Sequence, residues 1–170
     1  MAKIEAPRSR AELLRYWLPV GLWIIVVTLT SSAGAAGSRT LELLQWLVTT
    51  LHLPLNHEQV VTLHFLIRKT GHFCNYAVLS ALMFRALRDG AAVSWRVAWM
   101  TLALTGTLIV ASADELHQYF TPGREGTWHD VALDMAGAIT AQVIILLRAR
   151  RRRNSSLDRA PALMEHHEQA

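Results

Sequence analysis

Lys69, His72, Asp114, Glu115, Gln118, Arg124, Asp130 and Asp134 stand at the ends of long apolar runs. Together they offer acid–base chemistry on an anionic group. His72 has an imidazole whose ordinary pKa lies near neutrality, which suits a general acid or base. Asp114 or Glu115 could orient that ring or share its proton, and Lys69 with Arg124 could hold a phosphate or a developing negative charge. His72, Asp114, Glu115 and Lys69 are therefore the expected catalytic residues, with Tyr76, Gln118, Arg124, Asp130 and Asp134 around them as expected substrate-binding residues. No side-chain nucleophile has a signature; Tyr76, Thr70 and Ser112 are the candidates, with water as the default. Inside hydrocarbon, ionised groups of this kind cost roughly several kcal/mol or more unless they find partners. They are expected to meet.

The apolar runs decide where they meet. The chain has 170 residues, of which 52% are hydrophobic and 18% charged. Its mean hydropathy is positive, at +0.22. The apolar residues come in blocks rather than at amphipathic spacing. A membrane-crossing helix needs about 20 mostly apolar residues, and four stretches qualify: 14–36, 69–88, 94–113 and 130–148. A fifth, 40–53, is too short and precedes Pro54, so it reads as an interfacial or re-entrant helix. The expected fold is an all-α integral membrane protein with four transmembrane helices and one short helix. A soluble bundle would need polar outer faces that these runs do not supply. The first run resembles a secretory signal but is long enough to stay as an anchor.

Residues 1–13 then form an amino-terminal segment, 14–149 the transmembrane domain, and 150–170 a basic, disordered tail. Of the 17 basic residues, all but Arg39, Arg68, Lys69 and Arg124 fall on the side of the two termini. The positive-inside rule puts both termini in the cytoplasm, in a multi-pass protein of the cytoplasmic membrane. Basic residues that flank spans anchor to anionic headgroups, so the net charge of +4 is not a nucleic-acid signature. The single Cys74 has no partner for an internal disulfide and reads as a small packing residue. His166 and His167 lack a second ligand pair at metal-binding spacing.

This orientation gathers the polar set at the outer side. At about 100° per residue, Lys69, His72 and Tyr76 share one helix face within about 60°, and Asp114, Glu115 and Gln118 share another. Asp130 lies one turn above Asp134, and Gly137 and Ala141 continue that stripe, where small residues admit a close neighbour. A cleft with Asp134 as its floor and Lys69 and Asp130 at its rim is expected. Pro122-Gly123 suits a type II turn that aims Arg124 over it. Trp128 fits an interfacial belt, and His117 and His129 read as solvated.

Lys69-Thr70-Gly71-His72-Phe73 with Tyr76, Asp114-Glu115-Leu116-His117-Gln118, Pro122-Gly123-Arg124, and Asp130-Val131 through Asp134 to Gly137 form an ordered series that resembles the VanZ-like family of membrane proteins. The resemblance covers roughly residues 60 to 147 and implies a small multi-helix membrane protein. It carries no settled activity, only the association of a founding member with resistance to the glycopeptide teicoplanin. Where Asp134 stands the family often has Asn, which counts against any role that needs a neutral amide.

Three readings of the site follow. In the first, an enzyme modifies a lipid-linked or cell-wall headgroup by acid–base chemistry. In the second, the same pocket binds a headgroup or a glycopeptide antibiotic without making or breaking a bond. In the third, Lys69 pairs with Asp114, Arg124 pairs with Asp130 or Asp134, and the network only fixes helix register; buried pairs contribute little net stability. The expected partners are membrane lipids or a lipid-linked headgroup, not nucleic acid. A divalent cation held by Asp114, Glu115, Asp130 or Asp134, with His72 if it is zinc-like, is a variant. No cofactor is expected, because Lys69 and Arg124 already offer positive charge.

Overall fold

The computed structural model describes residues 10–32, 34–91, 93, 95–121 and 127–168, with side chains described over 13–31, 40–91, 93, 95–121 and 127–155. Five helices follow one another: α1 (Arg10–Ser32), α2 (Gly34–Thr50), α3 (His57–Arg88), α4 (Val97–Tyr119) and α5 (Trp128–Glu168). No strand occurs among the described residues. Among the described residues, three stretches are long and apolar enough to cross a membrane: Leu13–Ser31, Val97–Tyr119 and Trp128–Ser155. The fourth expected span lies within α3, which at 32 residues has length to spare. Its apolar content is diluted by Arg68, Lys69, His72 and Asn75 near its middle.

Several boundaries differ from the expected ones for physical reasons. Helix α3 begins at His57, twelve residues before Lys69, because Asn56 and Gln59 close a reciprocal capping box at its start. Helix α4 continues past Asp114 to Tyr119, since the carboxylates that seemed to end a span are buried and bonded. Helix α5 runs on through Arg150–Arg153 to Glu168, where composition suggested a disordered tail; the arginines favour helix, but nothing in the local sequence explains its passage through Asn154-Ser155-Ser156 and Pro161. Cys74 is exposed rather than packed, because it lies about 200° around the helix from His72.

Helix α3 is the centre of the bundle. It packs against each of the other helices and most extensively against α5. Lys69 meets Asp130 at a sequence separation of 61, and Ser80 meets Gln142 at a separation of 62. Such a constant offset means that α3 and α5 run the same way, side by side. Gly137 permits the closeness, because a Cβ there would sit 2.2 Å from the Phe73 carbonyl oxygen. Helix α1 runs the other way, with Tyr16 near Arg85 at one end and Ser31 beside Asp114 at the other.

Burial is inverted relative to a water-soluble bundle. Leu14, Leu22, Leu29 and Ile109 are more than half exposed, whereas Ser31, Ser80, Thr107, Asp114, Asp134 and Gln142 are buried. Apolar side chains outside and polar ones inside suit a lipid surround, where helices associate through small residues and interhelical hydrogen bonds. The apolar core is small: Val20, Val27, Tyr76, Leu79, Met83, Phe84 and three alanines.

Candidate functional site

The last turns of α4 carry a hydrogen-bonded set. Ser31, from the end of α1, donates its hydroxyl to Asp114 Oδ2 at 2.6 Å. Gln118, one turn beyond Asp114, donates its amide to Ser31 Oγ at 2.6 Å and to Asp114 Oδ2 at 3.0 Å. Its amide also lies 3.4 Å from Glu115 Oε1. The other Glu115 oxygen accepts the backbone N–H of Thr127 at 2.9 Å, which ties the end of α4 to the start of α5. Charge-assisted bonds of this kind fix a carboxylate's orientation as well as its energy.

The α3–α5 pair supplies the rest. Lys69 Nζ donates to Asp130 Oδ1 at the rim, both side chains being partly exposed. His72 Nδ1 lies 3.4 Å from Asp134 Oδ1, and Asp134 is fully buried. Tyr76 is also fully buried and has Asp114, Asp134 and Glu115 as its electrostatic neighbours. His72, Asp114 and Glu115 each present a ligand atom, all within 4.8 Å of one another. A cavity of about 250 Å³ opens beside them, lined by Val27, Thr30, Ser31, Arg68, Gly71, His72, Asn75 and Tyr76.

Eight of the nine residues expected at the site therefore lie at one end of the bundle, but of these only His72 and Tyr76 line the cavity. The expected cleft with Asp134 as floor and Lys69 and Asp130 as rim is not what the cavity shows, because it opens between α1 and α3 rather than between α3 and α5. The ninth, Arg124, and the Pro122-Gly123 turn lie outside the described residues. One expected pairing is corrected. Lys69 bonds to Asp130 rather than to Asp114, because the parallel α3–α5 register brings their amino-terminal parts together. Thr70 and Ser112 are exposed and do not line the cavity.

Sequence reasoning passed over four contributors: Ser31, Arg68, Asn75 and the Thr127 N–H. A serine at the end of an apolar run, on the side where the carboxylates gather, was the available signal for Ser31. Arg68 lies one residue before Lys69, and its place on the cavity wall follows from the approach of α1 to α3. Nothing in the sequence marks the Thr127 amide.

Among the described residues the buried charge is negative, since Arg68 on the cavity wall is exposed. Asp114, Glu115 and Asp134 are buried around one imidazole, while Lys69 is engaged by Asp130. Buried carboxylates of this density need protons or a cation to be tolerated.

Among known proteins, the family model described as VanZ/LLP1 matches residues 16–149. No curated protein and no solved structure matches the chain.

Proposed function

From the premise that the chain belongs to the VanZ/LLP1 family of membrane proteins, we propose that α1, α3, α4 and α5 cross the cytoplasmic membrane and present this pocket to the exterior. There it modifies a lipid-linked or cell-wall headgroup by acid–base chemistry. The observation that carries the reading is the convergence of His72, Asp114, Glu115 and Asp134 beside a cavity walled by Arg68. Such groups are expensive at the edge of a bilayer and are placed there for use. The positive-inside rule supports the orientation, since Arg15, Arg85, Arg88, Arg148 and Arg152 cluster at the opposite end. Helix α2, too short to cross, then lies along the outer surface or dips into it, beside α3.

In this reading Arg68 holds the anionic part of the headgroup from the cavity wall. Lys69 takes a smaller share than the sequence suggested, because Asp130 already engages it. Asp134 holds the His72 ring through Nδ1 and stabilises its charged form. Nε2 is then left to take a proton from water, or to return one to a leaving oxygen. Tyr76 backs the site and excludes water from beneath it.

A second reading has one observation in its favour. The Ser31 hydroxyl donates to Asp114 rather than to His72, so Ser31 and His72 are not paired as nucleophile and base. In that case the pocket binds a headgroup or a glycopeptide and breaks no bond. One comparison decides between the two: lipids and cell-wall precursors extracted from cells expressing the wild type, His72→Ala or no protein, compared by mass spectrometry. A mass change present with the wild type and absent with His72→Ala is the expected result. An unchanged profile, with headgroup binding retained by the purified protein, leaves binding alone.

A further inference from the structure

We infer that His72, Asp114 and Glu115 form a binding site for one divalent transition-metal ion, of the zinc or manganese class. Its catalytic use rests on the headgroup reading above, with His72 Nε2 then a ligand and the proton transfer assigned above to Nε2 passing to metal-bound water; its occupancy does not rest on that reading. The donor set of one imidazole and two carboxylates suits these ions, which bind such ligands at about 2.0–2.2 Å. Ligand atoms already within 4.8 Å of one another need only small side-chain adjustments to reach a common ion.

The surroundings argue for a metal more strongly than the three ligands do. Ligands at metal sites are held by outer partners, and a ligating histidine commonly gives its other ring nitrogen to a carboxylate. All three candidate ligands have such a partner here. Asp134 faces His72 Nδ1 and leaves Nε2 for the ion. Ser31 and Gln118 hold Asp114. The Thr127 N–H holds Glu115.

The burial of Asp134 points the same way. Asp134 is wholly buried, yet neither of its oxygens makes a hydrogen bond among the described residues; the 3.4 Å approach to His72 is an ion-pair contact only. The Tyr76 hydroxyl is equally buried and lies beside Asp114. An ion on Nε2 would polarise the imidazole N–H toward Asp134 and offset the charge of Asp114 and Glu115. Three protein ligands leave at least one coordination position for water or a headgroup oxygen. The cavity at Ser31 and His72 gives access to it.

The test uses the full chain purified in detergent, stripped with a chelator and titrated with Zn²⁺, Mn²⁺ or Mg²⁺ by calorimetry and thermal unfolding. His166 and His167 are replaced by Ala throughout, so that the tail contributes no binding. The expected result is saturable binding of one Zn²⁺ or Mn²⁺ per chain, with a raised melting temperature. That binding should be lost in His72→Gln and Glu115→Gln, and should weaken about 10- to 100-fold in Asp134→Asn with the stoichiometry kept. Stripped Glu115→Gln should melt no lower than the stripped wild type, because a buried charge has gone; if it does not fold, Asp114→Asn takes its place. Absence of saturable binding, or binding unchanged in His72→Gln and Glu115→Gln, overturns the site. A headgroup modification that persists in chelator-treated membranes overturns the metal's use and leaves the headgroup reading intact. Metal binding without any headgroup modification does the reverse.

Discussion

The two ends of the bundle solve the problem of charge in opposite ways. At the Asp114 end, charged groups of both signs come from three helices, with Ser31 reaching in from a fourth, and most lie buried or partly buried beside a cavity of about 250 Å³. At the other end, Arg15, Arg85, Arg88, Arg148 and Arg152 line a cavity of about 490 Å³, and their nearest aromatic neighbour is Tyr16, which has the guanidiniums of Arg15 and Arg85 about its ring at 6.0 and 5.6 Å. Most of those arginines are exposed, and no acidic residue lines their cavity. Exposed guanidiniums keep their water or reach lipid phosphates at little cost. Buried carboxylates have no such outlet. Burial, more than charge itself, therefore marks the end where chemistry is expected.

The comparison can be broken at its shared support. Gly137→Ala would set a methyl against the Phe73 carbonyl, forcing apart the two helices that build both ends. A destabilisation of about 3 kcal/mol or more is expected from such overpacking against backbone. Thermal unfolding in detergent checks it, and an unchanged melting temperature would mean that α3 and α5 do not touch there.

Sidedness is the next point of attack. In a Cys74→Ser background, Thr121→Cys should react with an impermeant maleimide in intact cells, and Asn154→Cys only after the membrane is opened. Equal labelling of both would put the two ends on one side and remove the contrast.

The smallest effect is expected at the arginine end. Arg85→Gln with Arg152→Gln should change stability by no more than about 0.5 kcal/mol, as exposed sites usually do. The same change should weaken retention of anionic lipid by about 1 kcal/mol per arginine. Native mass spectrometry in mixed anionic and neutral lipid reads the retention, and headgroup chemistry at the far end should be untouched.

Much of the architecture was legible because hydrocarbon imposes long uncharged runs, and α1, α4 and α5 are those runs. The ends of helices were less so. Span 94–113 stopped at the first carboxylate, and only the partners Ser31 and Gln118 explain why α4 continues. The start of α3 was hidden because Arg68 and Lys69 looked like a boundary, whereas the Asn56 cap lies well before them. Within the site, helical periodicity correctly put Lys69, His72 and Tyr76 on one face. It said nothing about partners, so the Lys69–Asp130 and His72–Asp134 contacts depended on the offset between α3 and α5. Ser31 was obscured by the small residues that follow it.

The contact at Gly137 limits which parts of the site can change. With two main chains in close approach a turn below Asp134, the separation of the backbone positions that carry the imidazole and the carboxylate is fixed by the helix packing. Val27, Thr30 and Ser31 reach the same cavity from α1, a separate helix. If the pocket takes the proposed headgroup, its preference can thus be retuned on that wall, residue by residue, while the His72–Asp134 pair stays in place.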